Sequence, residues 1–223
     1  MSNISKDEIV DIIVETIKLP FEKKGFSLKR KRFFECEDTY GNIQQYEIYL
    51  SKLKGWFSLH LRLNILNKSL LKKVNVILEK TLLDETYPYP DVWDENFIKS
   101  SIKARVGNYF LTGLTDWKIF KDEDESYEAF NNRFSIWICH FDSIGEIENW
   151  ESQLLQSVEF ANVWFSITAK DDEWIINNTE YPALCLLKEE KRLEELESKY
   201  TEILSRPHID KEEVQIFYRY LIS

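Results

Sequence analysis

Hydrophobic positions change their period several times along the chain, and each change marks an element. Ile9, Ile12, Ile13 and Ile17 recur at helical spacing. Ser5-Lys6-Asp7-Glu8 ahead of them is a capping-box pattern, in which the Ser hydroxyl and the Glu carboxylate satisfy free donors of the first turn. Pro20 strains the pattern and Gly25 can adopt the left-handed conformation that ends a helix, so a helix over 6–24 is predicted. From Phe26 the period shortens. Phe26, Leu28, Phe33 and Phe34 lie in a β-type stretch that reaches a turn at Tyr40-Gly41-Asn42, with residues 43–50 as its hairpin partner. After Gly55 the alternation is clean: Phe57, Leu59, Leu61, Leu63 and Ile65 point one way, and Ser58, His60, Arg62 and Asn64 the other. Such a strand buries one face of an antiparallel sheet.

Helical spacing returns with Leu70, Leu71, Val74, Ile77, Leu78 and Leu82, predicting a second helix over 69–83 that covers the sheet. The Pro-rich segment 87–93 reads as a loop, and 102–114 and 117–120 as two further short strands, with Gly107 and Gly113 at turns or a bulge. Beyond Lys121 the chain reads as helical. Tyr127, Phe130, Phe134, Ile138 and Phe141 are three or four apart, and Trp150, Leu154, Leu155, Val158 and Ala161 continue the pattern. Leu193, Leu196, Tyr200 and Ile203 precede Pro207, and Asp210 with Glu213 opens a last helix carrying Val214, Phe217, Tyr218 and Leu221. The predicted class is α+β, an antiparallel sheet packed by helices and followed by a mostly helical C-terminal half. The expected division is an α+β core at 1–121 and an acidic helical region at 122–223 packed on it as one structural domain.

At 223 residues, 43% of them hydrophobic, the chain can bury a core, and 14% aromatic residues must fill either that core or a binding surface. Cys36, Cys139 and Cys185 are odd in number and far apart, the pattern of reduced thiols in a reducing compartment. Residues 1–8 are polar and acidic, and no stretch approaches the roughly 20 apolar residues of a membrane helix. The expectation is a cytoplasmic protein with no membrane partner.

Charge is polarised. Residues 1–80 carry 15 Lys plus Arg against 10 Asp plus Glu, while the remaining 143 carry 14 against 29. Within 122–180 only Arg133 and Lys170 face 14 carboxylates. A helix, then Lys23-Lys24-Gly25-Phe26, a basic β stretch ending in Phe33-Phe34, a turn and a strand with Gln44-Gln45-Tyr46 resembles the bacterial domain of unknown function family 4304 over the first third of the chain. That resemblance implies a bacterial protein, no established activity and no catalytic residues.

Few residues suggest chemistry. The six glycines are isolated, which disfavours a phosphate-cradling loop, and neither a Gly-x-Ser-x-Gly elbow nor a Gly-Lys-Ser/Thr sequence occurs. His60, His140 and His208 are not spaced as ligand pairs, so no metal and no cofactor is expected. Glu-x-Lys triplets at 22–24, 189–191 and 197–199 have the wrong order or spacing relative to an Asp for a metal-dependent nuclease. Lys23, Lys24, Lys29, Arg30, Lys31 and Arg32 form either an anion-binding patch or, the plainer explanation, an edge strand protected by charge, and nucleic acid is disfavoured by the acidic remainder. Acidic runs beside aromatic residues suggest a surface for a basic protein, with Asp122, Glu123, Asp124, Glu125, Tyr127, Trp150, Asp171, Asp172, Glu173 and Trp174 as candidate contacts. Solvated helix faces explain the same runs more plainly. The leading functional expectation is a bacterial binding protein of the immunity or antitoxin kind that occludes a basic partner such as a nuclease toxin. The alternatives are a hydrolytic or nucleic-acid-processing enzyme with a site of scattered Asp, Glu and His, and a regulatory adaptor docking through its C-terminal helices.

Overall fold

In the computed structural model, residues 5–39, 41–53, 55–168 and 172–223 are described. Contacts group the chain into two compact units of two segments each, Met1–Leu66 with Thr112–Ala169, and Asn67–Leu111 with Lys170–Ser223. Residue 121 falls inside the first unit's second segment, so neither unit is bordered by the expected 121/122 division.

In the first unit, α1 (Lys6–Lys23) opens with the capping box: Ser5 Oγ accepts from the Glu8 amide at 3.2 Å and the Ser5 amide donates to the Glu8 carboxylate at 2.6 Å. Gly25 then takes φ +88°, a conformation costly for a residue with a Cβ. The sheet runs β1 (Ser27–Lys29), β2 (Phe33–Glu37), β3 (Ile43–Leu53), β4 (Trp56–Leu66) and β5 (Phe110–Leu114), of which Thr112–Leu114 belong to this unit, with β6 (His140–Phe141) also on β4. The β1–β2, β2–β3, β3–β4 and β4–β6 pairs are antiparallel. In β4, Phe57, Leu59, Leu61, Leu63 and Ile65 are all at most 3% exposed, the single buried face that their alternation predicts. Across the register, Leu50, Ile48 and Tyr46 of β3 stand opposite Leu59, Leu61 and Leu63.

That buried face is covered by α1 and by α5 (Trp150–Thr168), which pack against each other. Tyr46 hydroxyl meets Ser157 Oγ of α5 at 2.7 Å, and the Phe26 and Phe165 rings are 5.5 Å apart. The expected covering helix at 69–83 belongs to the second unit instead. Periodicity shows that a helix buries one face, not which surface receives it. Residues 117–120 are a 3-10 turn rather than a strand, because Asp116 accepts from the Lys118 amide at 3.0 Å and Trp117 and Phe120 turn their rings to one another at 5.5 Å. The Trp117 indole donates to the Leu61 carbonyl at 2.9 Å. The helix expected across 127–141 stops early: α4 spans Tyr127–Arg133, after which Gln153 Oε1 accepts the Ser135 and Ile136 amides at 2.7 and 2.9 Å. Those two donors leave the helical path, and Phe141 enters the sheet.

The second unit is helical: α2 (Lys68–Leu82), α3 (Glu95–Val106), α6 (Asp172–Asn178), α7 (Tyr181–Glu189), α8 (Leu193–Ser205) and α9 (Lys211–Ile222). α2 packs against α3, α7 and α9, and α8 against α7 and α9. Residues 102–106, expected as strand, continue α3, because Asp94 caps it by accepting from the Phe97 amide at 2.8 Å and Ile98, Ile102 and Val106 face the core at four-residue spacing. Only Phe110–Leu114 of that stretch is strand. No helix among the described residues is long and apolar enough to cross a membrane.

Candidate functional site

Three groups of side chains stand out, one from the expected acidic runs and two that the topology assembles. The acidic run of the first unit follows the 117–120 turn. Asp122, Glu123 and Asp124 are exposed, whereas Glu125 is clamped by Arg133, whose Nε and Nη2 donate to its carboxylate at 2.5 and 2.8 Å. The Arg133 hydrogen bonds hold the Glu125 carboxyl below its usual range. Tyr127 is 61% exposed, with the Lys118 and Lys121 ammonium groups 5.5 and 5.8 Å from its ring centroid. Trp150 begins α5 half-buried.

Asp172, Glu173 and Trp174 lie in the second unit, on α6, so the expected contact residues are divided between the two units, and Asp171 lies outside the described residues. Trp174 packs against the second unit's core, and Glu173 accepts from Arg192 at 2.6 Å, an arginine shared with Glu190 and Glu195.

The outward face of the sheet in the first unit pairs two hydroxyls with two imidazoles. Ser58 Oγ is 2.5 Å from His140 Nδ1, and Ser51 Oγ is 3.3 Å from His60 Nε2, with Ser51 and Ser58 directly opposite in the β3–β4 register. Burial, then the charges of Arg62 and His140, push the His60 pKa down. Arg62 lies over the Tyr49 ring at 4.5 Å and 3.7 Å from Glu47. A cavity of about 290 Å³ beside them is lined by His60, Leu61, Arg62, Thr115 and Trp137. His60 stands on the polar face of its strand as the alternation of β4 predicts, whereas residues 139–141, predicted to be helical, bring His140 opposite Ser58 of β4.

In the second unit, Glu213 of α9 is a buried carboxylate with four hydrogen bonds. Arg105 of α3 holds it by two nitrogens at 2.7 and 2.6 Å, and the Tyr87 and Tyr181 hydroxyls donate at 2.7 and 2.6 Å. Burial alone would raise its pKa, but the hydrogen bonds from Arg105, Tyr181 and Tyr87 outweigh it and the carboxyl is held below its usual range. Burial and the Glu213 charge raise both tyrosines. Arg105 and Tyr181 also line a cleft of about 320 Å³ with Asn75, Asn108, Asn178 and Glu180.

Tyr87 also begins an aromatic ladder along the Pro-rich segment. Ring centroids step from Tyr87 to Tyr89 at 4.5 Å, to Trp93 at 6.0 Å and to Phe97 at 4.6 Å. The prolines predict a loop here, and Tyr89, Trp93 and Phe97 nevertheless recur every fourth residue. Among the described residues no group of three or more His, Cys, Asp or Glu side chains is placed to hold a metal ion. Compared with known proteins, the chain matches no family model, no curated protein and no solved structure.

Proposed function

We propose that the chain is a protein-binding module that occludes a basic partner, in the manner of an immunity or antitoxin protein of the bacterial cytoplasm. The observation that supports this most is how few internal counter-charges serve the first unit's second segment. Residues 112–168 hold 11 carboxylates against Lys118, Lys121 and Arg133. Each of those cations has a local engagement: Arg133 with Glu125, Lys121 with the Asp122 and Glu125 carbonyls, and Lys118 over Tyr127. Apart from Glu159, held by Lys24 of the first segment at 2.9 Å, and Asp122, 3.6 Å from Arg133, exposed carboxylates such as Glu123 and Asp124 are left to mobile ions or to a cationic surface that releases them. Glu125 belongs to the scaffold, so the informative variant is Glu123→Lys with Asp124→Lys. After a partner is captured, this variant is expected to slow association at least tenfold at low salt. An unchanged association rate would remove the acidic run from the interface.

A hydrolytic reading is favoured by one observation, the contact of Ser58 Oγ with His140 Nδ1. On that reading the Ser58 hydroxyl proton passes to His140 as Oγ displaces fluoride from a fluorophosphonate, leaving a Ser58 phosphonate ester. Mass spectrometry after incubation with such a reagent checks it: labelling at Ser58 that is lost in His140→Ala supports a nucleophile, and no labelling ends the reading.

A further inference from the structure

We infer that residues 83–97 of the second unit form a recognition platform for a basic segment of a partner protein, with arginine or lysine side chains lying over the aromatic ladder and between its carboxylates. The inference rests on the partner being basic, as proposed above, but it places the anchoring contacts on a different element.

Composition already separates this segment from its surroundings. It carries Asp84, Glu85, Asp91, Asp94 and Glu95 and no Lys, Arg or His. Two of these carboxylates already hold cations, Asp84 with Arg219 at 2.6 Å and Glu95 with Lys99 at 3.2 Å, and Asp94 caps α3, while Arg105 is held by Glu213, so Glu85 and Asp91 are the ones open to a partner. Glu85 and Asp91 are exposed carboxylates beside exposed apolar surface, with Val92 89% and Phe97 52% accessible.

The ladder is also fixed before any partner arrives. Its base is tied down through the Tyr87 hydroxyl on Glu213 and the Tyr89 hydroxyl on the Leu82 carbonyl at 2.8 Å. Its outer end is set by the Trp93 amide on the Pro90 carbonyl at 2.9 Å and by the Asp94 cap of α3. Pro88 and Pro90 restrict the backbone between them. Rings held in place lose little entropy on binding, which is the character of an interface anchor. A ring face flanked by carboxylates attracts a guanidinium or ammonium group through its quadrupole and through charge, and repels phosphate. An uncharged apolar partner would leave the Glu85 and Asp91 carboxylates desolvated and unpaired.

An oligo-arginine peptide of about nine residues, a length that can span the ladder, is the probe. Its binding to the full chain can be followed by calorimetry and by amide chemical-shift changes. Wild type is expected to bind with shifts centred on residues 83–97. Trp93→Ala and Asp91→Lys should each weaken binding at least tenfold, as loss of an anchor or reversal of a contact charge does. Val92 is too exposed for its replacement to unfold the chain, so Val92→Asp tests the site without touching the ladder's packing and is expected to leave affinity unchanged or raised. Peptide binding that is unaffected by Trp93→Ala and Asp91→Lys, or absent in wild type, overturns the inference. If Glu123→Lys with Asp124→Lys alone weakens it, the basic-partner reading survives and the platform does not. If only the 83–97 variants weaken it, the platform stands and the acidic run loses its role.

Discussion

At the scale of single residues, Glu213 is the group on which most depends. Its carboxylate accepts from a guanidinium and two tyrosine hydroxyls while nearly inaccessible, so any replacement that removes the charge leaves Arg105 half-buried without its partner. Breaking such a pair by removing one member costs about 3 kcal/mol. Glu213→Gln is therefore expected to destabilise the second unit by about that much, read from the urea midpoint at constant slope. The pH dependence carries a definite sign. A carboxyl whose folded pKa lies below its unfolded value stabilises the fold fully above the unfolded value, about 4.3, and that contribution is lost as pH falls through the folded value. Asp84 acts in the same direction, held far down by hydrogen bonds from Thr86 and Tyr220 and by Arg219. Stability should thus fall from about pH 5 downward, and less steeply in Glu213→Gln than in wild type. Parallel acid limbs for the two proteins would show that Glu213 does not ionise below its unfolded range.

At the scale of elements, the β1–β2 connection combines charge with strain. The Arg32 amide donates to the Lys29 carbonyl at 3.2 Å, and the two residues between, Arg30 and Lys31, have φ of 48° and 63°. Positive φ at both central positions suits Asn-Gly far better than Arg-Lys. Arg30→Asn with Lys31→Gly is expected to raise the urea midpoint by about 1 kcal/mol equivalent, and a lower midpoint would mean that the basic side chains contribute more than the strain costs. Legibility also divides at this scale. α1, β4, α2 and α9 can be read from sequence because one buried face repeats through each. Residues 102–106 cannot, since Ile102 and Val106 suit strand and helix alike and Ile98, which fixes the four-residue spacing, lies outside the stretch taken as strand. α6 and α7 are too short to show a period, and they are separated only by Thr179 and Glu180, with Pro182 in the first turn of α7. Acidic runs are visible as charge, but their partners are not: Glu125 finds Arg133 eight residues on, and Glu173 finds Arg192 nineteen on. The ladder's spacing was present in the sequence, hidden by two prolines that marked the stretch as loop.

At the scale of the whole molecule, the charge distribution makes a kinetic statement. A formal charge of −10 with the deficit of cations after residue 80 gives a long-range field that acts on association more than on the bound state. Screening shortens that field from about 10 Å at 0.1 M salt to about 3 Å at 1 M. For a captured basic partner, wild type should associate more slowly as salt rises, while Glu123→Lys with Asp124→Lys should start slower and show a shallower salt dependence. Dissociation should respond to different residues, because contacts that exclude water are screened little. Trp93→Ala is expected to speed dissociation while leaving the association rate and its salt slope near wild type. The two variants together separate steering from anchoring: combined, their effects should add, since they lie on different units and share no hydrogen-bonding group. Strong non-additivity in the association rate would mean that charge and aromatic contacts form in a single step, and the division of labour between the acidic run and the ladder would then be wrong.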